Sequence, residues 1–165
     1  MAESLDPLPT QRAERYRLLA EQVAAVVAGE PSHTARYATA ACMLSHAFRP
    51  RFFWTGFYVV DPHQPDQLVV GPYQGTLGCL RIPIGRGVCG TAAARRQTVL
   101  VPDVHAFPGH IACDAASRSE VVVPVFDARG ALAAVLDVDS TEPDAFDAVD
   151  VAGLEAICGL LLTTA

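Results

Sequence analysis

EVVVPVFDARGALAAVLDVD, residues 120–139, decides the fold class. Val, Ala and Leu dominate two runs, 120–127 and 131–139, which meet through the short polar stretch DARG. Branched apolar residues on both sides of so short a Gly-containing connection predict an antiparallel hairpin.

Working outward, residues 146–162 are apolar and predict a closing helix, and residues 99–101 a short strand. Residues 87–96 read as an Ala-rich helix entered through a Gly-containing turn, and 79–82 as a short strand. Residues 67–70 predict another, ended by Gly71 and Pro72, and the run RFFWTGFYVV at 51–60 a longer one. Two helices precede these strands. The first begins near Thr10, carries Tyr16, Leu19, Val23, Val26 and Val27 at helical spacing, and stops at Gly29 and Pro31. Ser32 caps the second, whose inner face holds Tyr37, Ala41, Leu44 and Phe48, and Pro50 stops it. Residues 102–119 show no periodicity, and a loop of that length inside a compact domain is usually functional. Helices at both ends around a mostly antiparallel sheet give an α+β, three-layer domain over residues 10–165, with residues 1–9 as a loose tail.

Composition removes whole classes of function. The formal charge of −6 is the wrong sign for a duplex nucleic-acid binder, which needs a basic stripe to displace counterions. All twelve basic residues are Arg, so Schiff-base and P-loop lysine chemistry are excluded. The acidic, Pro-containing start MAESLDPLPT has no signal-peptide pattern, and no apolar run approaches the length of a membrane span. A cytoplasmic, reducing location is the expectation.

Five cysteines in such a setting are not a disulfide framework. Cys42 and Cys158 lie in apolar, helix-like surroundings and read as small buried hydrophobes. Cys79, Cys89 and Cys113 sit among Gly, Pro, Asp and Arg, where Arg81, Arg86 and the start of a helix near Cys89 would lower a thiol pKa. Glu120 opens an apolar strand seven residues after Cys113, and Asp137 and Asp139 share one strand face. Acids in an apolar run are costly unless used or paired, although a strand end turning into solvent would also hold them. Trp54 and Tyr58 share a face of their strand, as core or as pocket wall. His105 and His110 find only Asp103 and Cys113 as further donors nearby, so no metal site is expected. The GRG at 85–87 lacks the rest of any phosphate-binding motif.

Residues 71–125 contain IPxGRGVCGTAA followed by VPDVHxFPGHIACDxxSxSE, and with WTGFY at 54–58 and VLDVDS at 135–140 this pattern resembles the free methionine-(R)-sulfoxide reductases, a GAF-domain family. The likeness spans residues 10–162. It implies reduction of free L-methionine-(R)-S-oxide by thiols, without a bound cofactor. One thiolate takes the oxygen as a sulfenic acid and a second thiol condenses with it to a disulfide. It further implies Cys113 as nucleophile and Cys79 as resolving thiol, with Cys89 a rival for either role. Glu120, Asp137 and Asp139 would line the substrate pocket, Trp54 and Tyr58 would enclose the S-methyl end, and backbone amides at 111–117 would face the substrate carboxylate. Thioredoxin is the implied reductant and a homodimer the implied assembly. The competing reading is a non-catalytic GAF module that binds a small ligand as a sensor, for which three loop cysteines have no evident use.

Overall fold

The structure, a computed structural model, describes residues 9–162. The tail expected at residues 1–9 therefore lies, Pro9 apart, outside the described residues. The element order is α1 (Arg12–Val26), α2 (His33–Phe48), β1 (Trp54–Val60), β2 (Gln67–Gln74), β3 (Arg81–Pro83), α3 (Gly87–Arg95), β4 (Val99–Val101), a 3-10 turn at Val104–Ala106, β5 (Ser119–Phe126), β6 (Leu132–Ser140) and α4 (Ala148–Leu161).

The hairpin forms as expected: β5 and β6 pair antiparallel from Ser119↔Ser140 to Phe126↔Leu132. The pair sits inside a six-stranded sheet of order β3-β2-β1-β6-β5-β4, every neighbouring pair antiparallel. Period-two alternation then sorts the side chains. Phe57, Val121, Val123, Val125, Ala134, Leu136 and Val138 face one way and pack with Tyr16, Leu19, Tyr37, Leu44, Leu154 and Ile157 of α1, α2 and α4. Trp54, Tyr58, Val122 and Val135 face the other way and pack with Ile82 and with Val88, Cys89 and Ala92 of α3. This is the expected α+β layering, with three helices on one side and α3 with the long loops on the other.

Caps and one buried cluster hold the helical layer. Ser32 Oγ accepts from Ala35 N at 3.2 Å, and Asp147 caps α4 reciprocally with Asp150. The fully buried Asp150 accepts from Arg51 at 2.6 and 3.0 Å, from Arg12 at 2.7 Å and from the Tyr16 hydroxyl at 2.9 Å. One carboxylate thus ties α1, α4 and the entry to β1.

Three local expectations are corrected. Strand β2 does not stop at Gly71 but runs to Gln74. Gly71 and Pro72 together face Phe57 in a bulge between the Gly56↔Tyr73 and Tyr58↔Val70 pairs, where the missing proline N–H costs no regular ladder bond. Strand β3 starts at Arg81, leaving Cys79 in the preceding loop. Val26 is 49% exposed, because Val27, four residues after the buried Val23, takes the inward place. Among the described residues no helix is long and apolar enough to cross a membrane.

Candidate active site

The register of the three central strands brings the candidate residues together. Asp139 stands between Trp54 of β1 and Glu120 of β5, and Asp137 between Gly56 and Val122. All of them use the face that carries α3, so the acids point under that helix rather than into solvent. Trp54 stacks on Tyr58 with ring centroids 5.7 Å apart and on Tyr73 at 5.0 Å, and its indole N–H donates to Thr76 O at 3.0 Å. The two rings are therefore both buried and part of the pocket wall.

Helix α3 supplies Cys89. The helix lies so close to the turn before it that a Cβ on Gly90 would stand 2.4 Å from Pro83 O, which only glycine avoids. Cys89 is buried, its Sγ 3.9 Å from Glu120 Oε1. Two loops cover the opening. Cys79 in one and Cys113 in the other form a disulfide, Cα atoms 5.2 Å apart across a separation of 34 residues. The Thr76 hydroxyl adds a second tie by donating to Asp114 Oδ2 at 2.6 Å, and Asp114 Oδ1 accepts from Ala116 N. Beneath these loops, between Trp54, Tyr58, Cys89, Glu120, Asp137 and Asp139, remains a cavity of about 30 Å³, room for one or two waters. Cys113 itself is exposed, within reach of an external dithiol.

Burial dominates the electrostatics. It pushes the Glu120 carboxyl well above its usual range, reinforced by the charges of Asp137 and Asp139. Asp137 is raised to about 7, again chiefly by burial, and Asp139 is raised by burial and by Asp137. Three acids so placed cannot all ionise near neutral pH, so the cluster retains protons. The Cys89 thiol is pushed up by burial first and then by Asp137, Glu120 and Asp139. This corrects the expectation of a lowered thiol pKa there: Arg81 pairs with Asp61 at 2.8 Å instead, and the start of α3 does not outweigh desolvation and three acids.

The structure thus brings all eight candidates, Trp54, Tyr58, Cys79, Cys89, Cys113, Glu120, Asp137 and Asp139, to one place. Cys158 is buried as expected, but Cys42 is exposed, because it occupies the outer side of α2 beside the buried Ala41 and Met43. His105 is exposed, whereas His110 Nε2 approaches Glu120 Oε2 at 3.8 Å. Sequence patterning misses Leu77 and Gly78 of the lining, whereas Ile111 and Ser117, which also line it, bound the stretch expected to face the substrate carboxylate. The Ser117 side chain bonds the Asp139 carboxyl group.

A GAF domain family model matches residues 45–162. The free methionine-R-sulfoxide reductase of Escherichia coli (strain K12) is 43% identical over 150 residues, covering 91% of this chain and 88% of that protein. The X-ray structure of the free methionine-R-sulfoxide reductase of Neisseria meningitidis in complex with its substrate aligns with a TM-score of 0.91 at 44% identity, covering 97% of this chain and 93% of that one. A Burkholderia vietnamiensis protein assigned by its name to the GAF sensors aligns with a TM-score of 0.86 at 50% identity, covering 93% and 94%.

Proposed function

Because the chain belongs to the GAF-domain family and, within it, to the free methionine-R-sulfoxide reductases, we propose that it reduces free L-methionine-(R)-S-oxide to methionine. The observation that carries this reading is the Cys79–Cys113 disulfide, which closes over a pocket of buried, proton-retaining acids. A sulfoxide is a weak electrophile until its oxygen takes a proton, and a carboxyl with a raised pKa supplies one at neutral pH. In the reduced protein the Cys113 thiolate attacks sulfur while a carboxyl of the Glu120–Asp137–Asp139 cluster protonates the oxygen. The oxygen then passes to the Cys113 sulfur: the transient bond between the two sulfurs and the substrate S–O bond break, a Cys113 S–O bond forms, and methionine leaves with Cys113 as a sulfenic acid. The Cys79 thiol then attacks the Cys113 sulfur, the S–S bond forms and water departs. An external dithiol, with thioredoxin the proposed reductant, returns two electrons and two protons. Cys89, buried and with a raised pKa, suits neither thiolate role as well as the other two.

The acid cluster also explains a preference for the free amino acid. The substrate ammonium places a cation beside Glu120, Asp137 and Asp139, which a peptide-bound residue lacks. Trp54 and Tyr58 offer the S-methyl group aromatic contact. A homodimer and a cytoplasmic setting belong to this same reading. The sensor alternative accommodates the pocket but leaves the redox pair over its mouth without a use. The test is thioredoxin-coupled NADPH oxidation with the free R sulfoxide, the free S sulfoxide and a sulfoxide-containing peptide. Turnover is expected with the first alone; comparable rates with the peptide would overturn the pocket assignment.

A further inference from the structure

With Cys79 and Cys113 joined, Cys89 is the one thiol left inside the pocket, and it stands among donors of a different kind. One ligand atom each from Cys89, Glu120 and Asp137 lies within 4.8 Å of the other two. Asp137, only 6% exposed, keeps Oδ1 buried without a hydrogen-bond partner at this cluster. The loop that carries Cys113 adds His110, whose Nε2 is 3.8 Å from Glu120 Oε2. No arginine neutralises the group: the salt bridges of the described residues commit Arg12, Arg17, Arg51 and Arg81 to Asp147, Asp150, Glu14, Glu21 and Asp61.

Donors around a tetrahedral ion bound at about 2.0–2.3 Å stand roughly 3.3–3.8 Å apart. Cys89 Sγ stands 3.9 Å from Glu120 Oε1 and His110 Nε2 stands 3.8 Å from Glu120 Oε2, and the Cys89, Glu120 and Asp137 donors, within 4.8 Å of one another, close by up to about an ångström on an ion. One thiol, one imidazole and two carboxylates form a set that selects Zn²⁺, or Co²⁺ in its place, over Mg²⁺ and Ca²⁺, which take oxygen ligands alone. We propose that Cys89, Glu120 and Asp137, with His110 as fourth donor, form a site for a zinc-class divalent cation, and that the ion competes with substrate. On binding, the Cys89 thiol loses its proton to solvent and sulfur bonds the metal. The binding half stands on geometry alone; the competition half rests on the placement of the substrate ammonium proposed above.

The test uses the disulfide form of Cys42→Ala, in which Cys79 and Cys113 are blocked and the exposed thiol is gone. Titration with Co²⁺ is expected to give one ion per chain, a thiolate-to-cobalt charge-transfer band and the visible bands of four-coordination, all bleached by equimolar Zn²⁺. No charge-transfer band, or one that survives the added isosteric change Cys89→Ser, overturns the site. His110→Gln is expected to weaken Zn²⁺ binding at least tenfold while a single turnover of the reduced enzyme proceeds normally. Zn²⁺ is then expected to raise the half-saturating sulfoxide concentration of the wild type far more than that of His110→Gln. Equal inhibition of both proteins would overturn the competition while leaving the spectroscopic result to judge the site.

Discussion

Asp137 is the residue at which stability and function oppose each other. Its ordinary carboxyl pKa lies near 4 in the unfolded chain, and burial raises it to about 7 in the fold. Between those values the folded state holds more protons than the unfolded one, so this group's contribution to stability falls as pH rises from about 4 through about 7. Glu120 and Asp139 are raised in the same direction, chiefly by burial, and add to the loss. Asp137→Asn removes the ionisation, so its thermal midpoint at pH 8 is expected to exceed that of the wild type, by roughly 2–4 °C for each kcal/mol recovered. The advantage should shrink at pH 4; a variant less stable than the wild type at pH 8 would show that the carboxylate is not under strain. Activity carries the same signature. As pH climbs through the raised values the cluster loses its acid, so kcat should fall on the alkaline side, and Glu120→Gln should lower it by about 10²–10⁴. Steady kcat in Glu120→Gln would remove Glu120 from proton donation. The cysteines outside the pocket behave differently. Cys158 is buried, so Cys158→Ala should cost about 1 kcal/mol through a small cavity. Cys42→Ala should be silent in denaturant unfolding, and neither change should alter turnover.

At the scale of elements, the helical layer depends on a single carboxylate. Asp150 accepts from Arg12, Arg51 and Tyr16, and Arg51 also lies over the rings of Phe48, Phe52 and Phe146. Removing one partner of a buried ion cluster strands the others, at a cost of about 3–5 kcal/mol. Asp150→Ala is therefore expected to lower the urea midpoint sharply, with the slope unchanged; a shift no larger than that of an exposed helix residue would contradict the cluster's role. The strands that face this layer were legible in sequence, because β5 and β6 are runs rich in branched apolar residues joined through the short DARG stretch. Strand β2 was less so. Gly71 and Pro72 are strand terminators locally, and only the bulge opposite Phe57 lets the strand continue. For the same reason the exclusion of Cys79 from β3 was hidden: its position is decided by a partner 34 residues away.

Across the whole molecule, one antiparallel sheet separates a stable helical layer from a chemical face. The membership of that face was legible in part. Alternation placed Asp137 with Asp139 and Trp54 with Tyr58, and the motif pattern marked the three cysteines. What alternation does not carry is the charge environment. Arg81 stands two residues from Cys79 in sequence yet serves Asp61, and Cys89 sits near a helix start yet is governed by burial and by acids from two other strands. Nor does sequence spacing show that His110 turns toward Glu120, since the loop path is set by the disulfide and by Thr76 on Asp114. The most direct measurement of the central claim is methionine released per chain by prereduced enzyme without added reductant, with the oxidised product mapped by mass spectrometry. The expected result is about one methionine per chain from the R sulfoxide with a Cys79–Cys113 disulfide formed, the same burst ending at a Cys113 sulfenic acid in Cys79→Ser, and none in Cys113→Ser. A full burst from Cys113→Ser, or no burst from wild-type protein that binds the sulfoxide tightly, would contradict it.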